Sequence, residues 1–122
     1  MDMFDVSDNQ LISLKNSPFF VGVNFICSGN QLKSLNGISK HIGHDIYCLD
    51  NNITYIDSNI NFGGYIFTGY NPIDIIFNSC LNKNINKQQI LEELSIYKPI
   101  SEDGDIIYKS RLKEMYQELN CF

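Results

Sequence analysis

A segment of about 21 residues recurs along the first half of this 122-residue chain. Residues 9–16 read NQLISLKN, residues 30–37 read NQLKSLNG, and residues 51–58 read NNITYIDS. The copies align at two apolar positions and at an asparagine. These positions are Phe4, Phe25 and Ile46; Val6, Cys27 and Cys48; and Asn9, Asn30 and Asn51. A repeat of this period is typical of chains that stack one short structural unit on the next.

A fourth copy, GYIFTGYNPI, is one residue shorter than the others. Aligning Gly22 and Gly43 with Gly64 predicts that the missing residue falls between Gly64 and Asn71. This fourth copy is therefore the least regular part of the repeat.

The paired apolar positions of each copy are two residues apart, and the asparagine follows three residues later. Alternate residues of a strand share a face, so each copy is predicted to form one short strand with both apolar side chains inward. The asparagine is predicted to turn inward after the strand, where its amide satisfies backbone groups of the bend. Asn9, Asn30, Asn51 and Asn71 are thus expected to form a ladder of structural residues.

The predicted fold is an α+β solenoid, because one 21-residue unit cannot enclose its own apolar side chains. About four short parallel strands are expected to stack over residues 1–71. A C-terminal cap over residues 72–122 is expected to cover the last strand, and the two parts are expected to pack as one domain.

The cap is predicted to contain a helix, a second helix, a small β-hairpin and a closing helix. Asn71 and Pro72 have the residue types of a helix cap and a first helical position. Asn86 is predicted to cap the second helix. A hairpin turn is predicted at residues 103–104, and the closing helix over residues 109–120.

The stretch FICSGNQLKSL, residues 25–35, resembles the short-period bacterial and viral form of the leucine-rich repeat, and the likeness covers about residues 4–76. The tail, from NPIDIIF to YKPISEDGDIIYKSRLKEM, resembles the cap that follows such repeats in small proteins of tailed bacteriophages. The resemblance implies a phage protein in the cytoplasm of a bacterial host. It also implies a target in host defence, such as a CRISPR or restriction complex.

No residue pattern indicates catalysis. The four cysteines form no C-x-x-C pair, which favours buried free thiols in a reducing compartment. His41 and His44 are three residues apart, but no third ligand is spaced to complete a metal site. The sequence therefore predicts a non-enzymatic protein with no cofactor and no metal.

The formal net charge of −5 opposes direct binding to nucleic acid, which depends on clustered Lys and Arg. No stretch approaches the ~20 continuous apolar residues of a membrane span, and MDMFDVSDNQ lacks the basic and apolar parts of a signal peptide. A cytoplasmic protein that binds neither nucleic acid nor membrane is expected.

The residues between the inward strand positions are predicted to point outward onto the concave sheet. They include apolar and aromatic side chains where a solvated face is normally polar. The predicted partner-binding residues are Asp5, Ile26, Asp45, Tyr47, Leu49, Asp50, Tyr65 and Tyr70, and Thr68 is also predicted to point outward. Aromatic residues inside an acidic rim are typical of a protein-binding surface and favour a basic partner. Packing of Tyr65 and Tyr70 under the cap or along the edge of the solenoid is the alternative for those two residues.

Two functions follow from this surface. The first is a protein-binding module, an inhibitor of a bacterial host protein with a basic surface. The alternative is a structural or self-assembling module that forms a homodimer through the same face.

Overall fold

The computed structural model describes residues 2–81 and 83–121, so the predicted domain limits at residues 1 and 122 lie outside the described residues. Parallel strands fill the N-terminal half and helices the C-terminal half. The strands are β1 (Phe4–Asp5), β2 (Phe20–Val21), β3 (Phe25–Ile26), β4 (His41–Ile42), β5 (Ile46–Tyr47) and β6 (Ile66–Phe67). The helices are α1 (Asp74–Leu81), α2 (Lys87–Tyr97) and α3 (Lys109–Leu119).

The four strands predicted from the repeat form one parallel sheet in the order β1-β3-β5-β6. Phe4 pairs with Phe25, Phe25 with Ile46, and Ile46 with Ile66, so equivalent positions of successive repeats lie side by side. Their inward side chains form continuous columns, and Phe25, Cys27, Ile46 and Cys48 are fully buried. The predicted parallel strands and their inward residues are confirmed.

A second parallel sheet joins β2 to β4, with Val21 beside Ile42. A single parallel bridge extends it from Ile42 to Phe62. Val21 and Ile42 are buried. Each of the first three repeats therefore contributes a second segment that closes the core on another side.

The fourth repeat has a different register from the predicted one. Gly63, and not Gly64, continues the column of Gly22 and Gly43, because a Cβ on Gly63 would lie 2.3 Å from the Gly43 carbonyl oxygen. The bridge between Ile42 and Phe62 has the same 20-residue offset. The missing residue therefore precedes Phe62, and the alignment on Gly64 was wrong.

The asparagine ladder is confirmed for Asn30, Asn51 and Asn71, whereas Asn9 is exposed and bonds carbonyls of its own repeat. Asn51 Nδ2 donates to the carbonyl oxygens of Cys27 and Cys48, each at 3.1 Å, and Asn51 Oδ1 accepts from Leu32 N at 3.0 Å. Asn30 and Asn71 make the equivalent bonds one repeat earlier and one repeat later. Because each amide bonds its own repeat and the preceding one, the ladder fixes the spacing between repeats.

The three helices cover the C-terminal end of the core. Apolar side chains of all three join one continuous cluster with the strand residues, including Ile76 of α1, Leu91 and Leu94 of α2, and Met115 of α3. Ser95 Oγ of α2 donates to the Ile56 carbonyl at 3.2 Å and accepts from Ser58 N at 3.1 Å. The third repeat is therefore bonded directly to α2.

Three details of this end concern the predicted cap. Asn86 caps α2 as predicted, accepting from Gln88 N at 2.7 Å. Asn71 does not cap α1 with its side chain, because that amide belongs to the ladder. The predicted hairpin is reduced to a turn closed by one antiparallel bridge between Ile100 and Ile107.

Among the described residues, no helix combines the length and apolar character needed to cross a bilayer.

All four cysteines are free and buried, as predicted. Cys27 and Cys48 stack in the column that begins with Val6. The Cys121 thiol donates to Cys80 Sγ at 2.8 Å, which ties the end of α3 to α1. Burial raises the pKa of Cys27 to about 12, so its thiol stays protonated at neutral pH.

We expect Cys27→Val to remove part of the loss of stability at high pH. The unfolded thiol releases its proton near its ordinary pKa of 9.0, whereas the folded thiol keeps it until about 12. Between these values Cys27 lowers the free energy of unfolding by about 1.4 kcal/mol per pH unit, and below pH 9 it has no such effect. Urea unfolding of both proteins from pH 8 to pH 11 measures the difference, which should grow with pH. Parallel curves would contradict the prediction.

Candidate functional site

The outward face of the four-stranded sheet carries one row of paired residues. Asp5 pairs with Ile26, Ile26 with Tyr47, and Tyr47 with Phe67. Phe67 was missed by the sequence prediction because the alignment on Gly64 shifted the fourth strand. The sequence does contain a signal for it, because Phe67 precedes Asn71 by the same number of residues as Tyr47 precedes Asn51. The correct register therefore adds a third apolar residue to the predicted row.

The central feature of this face is a cluster of aromatic rings. Tyr47 stacks on Phe67 with ring centroids 4.7 Å apart and an interplanar angle of 17°. Tyr65 lies 6.4 Å from Phe67 at an angle of 50°. Tyr65 is 69% exposed and Phe67 is 39% exposed, while Tyr47 is half-buried. These three residues, Tyr47, Tyr65 and Phe67, are hereafter called the aromatic cluster.

Tyr70 lies in the turn that follows β6 and is 82% exposed. Its φ of 59° is in the left-handed region, where a bulky residue is a steric outlier. The equivalent positions of the earlier repeats hold Asp8, Gly29 and Asp50, also with positive φ. Neither Tyr65 nor Tyr70 is buried under the helices, so packing beneath the cap does not explain them.

Leu49 and Ile26 are half-buried on the same face. Leu49 N donates to Ser28 Oγ at 3.2 Å. A Cβ on Gly69 would lie 3.4 Å from Leu49 Cδ2, so the Leu49 side chain extends alongside the fourth repeat. Leu49 therefore extends the apolar surface toward the turn that holds Tyr70.

The predicted acidic residues have local bonds as well as charge. Asp45 Oδ1 accepts from Tyr65 N at 2.8 Å, and Asp45 N donates to Asn24 Oδ1 at 3.1 Å. Asp5 Oδ1 accepts from the Ser7 hydroxyl and from Ser7 N, and these bonds lower the Asp5 pKa below its usual value. Asp5 and Asp50 are exposed. The local hydrogen bonds of Asp5 and Asp45 hold these two carboxylates in fixed positions on the outward face.

Other residues considered in the sequence lie away from this face. Thr68 is buried, because it continues the inward column of Cys27 and Cys48, and its predicted outward position was wrong. His41 lies in β4 of the second sheet, with Nδ1 2.9 Å from Asn61 Nδ2. Within residues 2–81 and 83–121, no three His, Cys, Asp or Glu side chains are grouped to hold a metal ion.

The fold and this face define a mixed protein in which a parallel four-stranded sheet precedes three helices and displays aromatic side chains to solvent. Comparisons with protein-family models, curated proteins and solved structures gave no match to this chain.

Proposed function

We propose that this chain is a leucine-rich-repeat-like solenoid, with residues 72–122 as its cap, and that it acts as a non-enzymatic protein-binding module. Two observations support the solenoid. Equivalent residues of successive repeats pair in parallel, and the asparagine amides bond each repeat to the one before it. Such proteins usually present surfaces to partners.

The aromatic cluster carries the proposal. A stacked pair of rings beside an exposed tyrosine, held by a hydrogen-bonded sheet, has the composition of a protein-binding hot spot. Its side chains are positioned before binding, so less conformational freedom is lost on association. The energetic centre of the interface is therefore assigned to Tyr47 and Phe67.

Tyr70 provides independent support. A tyrosine with positive φ costs about 1–2 kcal/mol of backbone strain, and this position holds Gly or Asp in the other repeats. Because the Tyr70 side chain is mostly exposed, its packing within the chain does not offset this backbone strain. A contact with a partner accounts for a large aromatic residue at this turn.

The partner is proposed to have a basic surface. Asp45 accepts a hydrogen bond from Tyr65 N of the aromatic cluster, and Asp50 N bonds the Gly69 carbonyl next to Tyr70. The chain also has a net charge of −5. Opposite charge speeds association and excludes acidic competitors. The resemblance to phage proteins extends this proposal to an inhibitor of a bacterial defence complex.

Two variants test the face. With a purified partner, Phe67→Ala is expected to weaken binding about 30-fold, or 2 kcal/mol. Tyr70→Gly is expected to weaken binding while raising the free energy of unfolding by about 0.5–1 kcal/mol, because Gly adopts positive φ without strain. Isothermal titration calorimetry and urea unfolding measure the two effects.

Ile96→Ala is the matched control, because Ile96 is an exposed apolar residue of α2 at 69%. It is expected to leave binding unchanged. Unaltered affinity in both Phe67→Ala and Tyr70→Gly would refute the proposed face. A tight dimer that Phe67→Ala dissociates, seen by light scattering without another partner, would instead favour the self-assembling module.

A further inference from the structure

In the part of the chain that the structure describes, strand β1 is the first strand of the sheet and pairs with one neighbour, β3. Phe4 N, Val6 N and Asp8 N donate toward β3, at 3.0, 2.9 and 2.9 Å. Alternate residues of a strand direct their backbone groups to opposite sides, so those of Asp5 face the outer edge. Such an edge is a template for another strand.

The first asparagine of the ladder points to the same edge. In the later repeats, the amide oxygens of Asn30, Asn51 and Asn71 accept a backbone N–H from the preceding repeat. Asn9 Nδ2 bonds the carbonyls of Val6 and Ser7, which belong to its own repeat. By the same pattern, Asn9 Oδ1 would accept a backbone N–H from a strand added at this edge.

The apolar columns also end at this edge. Phe4, Val6 and Leu11 are half-buried, whereas their equivalents Phe25, Cys27 and Leu32 are fully buried. Together with Leu14 they line a groove of about 160 Å³. The Phe4 ring lies 5.2 Å from the Phe25 ring, so the groove continues directly into the core column.

Charge selects the occupant of this edge. Asp5 of β1 and the flanking Asp2 and Asp8 are exposed, and Lys15 is among the residues that line the groove. An antiparallel pairing of two copies about Asp5 would place like charges opposite each other, which is destabilising. A strand with basic residues opposite Asp5 gains attraction instead.

We propose that β1 and Asn9 bind an extended segment of another protein, whose alternating apolar and basic side chains add a fifth strand to the sheet. Its apolar residues cover Phe4 and Val6, and its basic residues lie next to Asp5. Its backbone accepts from Asp5 N and donates to Asn9 Oδ1. This edge is separate from the aromatic cluster and adds a second contact to the proposed function.

The test uses labelled peptides that copy the chain's own second repeat. The probe spans residues 23–32 with Ile26→Lys, Cys27→Val and Ser28→Lys, and the control carries Asp in place of both Lys. Fluorescence anisotropy with the full chain at low salt is expected to show the basic peptide binding at least 10-fold tighter. Asp5→Lys in the protein is expected to reverse this order, and hydrogen exchange at Asp5 N is expected to slow when the basic peptide binds.

Each other outcome overturns the proposal. Equal binding of the two peptides, or no response to Asp5→Lys, removes the edge as the site. Loss of peptide binding in Phe67→Ala but not in Asp5→Lys assigns the peptide to the aromatic cluster. A dimer of the free chain that Asp5→Lys abolishes identifies a second copy as the occupant.

Discussion

Asn51→Ala is expected to lower the free energy of unfolding by about 3–5 kcal/mol. Its amide nitrogen donates to the carbonyl oxygens of Cys27 and Cys48 and shares a hydrogen with that of Leu49, and its oxygen accepts from Leu32 N. Alanine leaves the buried Leu32 N–H without that acceptor. A chain of this length has a total stability of about 6–18 kcal/mol, so the loss is a large fraction. Urea unfolding followed by circular dichroism measures it.

Asn9→Ala is the matched control for the ladder. Asn9 occupies the equivalent position in the first repeat, but it is exposed and bonds its own repeat at Val6 and Ser7. Its replacement is expected to cost about 1 kcal/mol or less. Similar losses at Asn9 and Asn51 would show that bonding between repeats contributes little to stability.

Gly43→Ala is expected to destabilise the protein by about 3 kcal/mol or more, or to prevent folding. A Cβ at this position would lie 1.9 Å from the Gly22 carbonyl oxygen. Backbone bonds hold the repeats at this distance, with Gly43 N bonded to the Val21 carbonyl at 2.8 Å and His44 N to the Val23 carbonyl at 2.8 Å. The collision therefore involves backbone atoms that cannot move without breaking those bonds.

Gly69→Ala is the matched control, because it replaces a glycine by alanine without the backbone collision expected at Gly43. Its Cβ would make an ordinary contact, 3.4 Å from the flexible end of Leu49. We expect a change within about 0.5 kcal/mol, measured by the same urea unfolding. A Gly43→Ala protein as stable as Gly69→Ala would show that the two repeats can separate at Gly22.

The regular repeats were predictable because strand alternation and the asparagine bends are local. Phe25, Cys27, Ile46 and Cys48 had to share one side of their strands, and the structure buries all four. Helices α2 and α3 also followed from local pattern, including the Asn86 cap. Asn71 was predicted both for the ladder and for a helix cap, because its residue type suits both roles. Its side chain bonds the Cys48 carbonyl and Ile53 N, so the structure shows the ladder role.

The candidate site was predicted in part. Ile26, Tyr47 and Leu49 were identified from alternation alone, and the structure places them on the outward face. Phe67 was missed and Thr68 was misplaced, for the same reason. A one-residue deletion reverses the face of every later strand residue until the register is recovered.

The sequence by itself determined which residues of the first three repeats lie inside and which lie outside, because a period of two within each strand is set by the backbone. The tertiary structure decided that the one-residue deletion lies before Phe62. That position depends on Gly63 fitting against the Gly43 carbonyl and on Asn71 reaching Cys48, two contacts between segments distant in sequence. These contacts place Phe67 on Tyr47 and so complete the aromatic cluster.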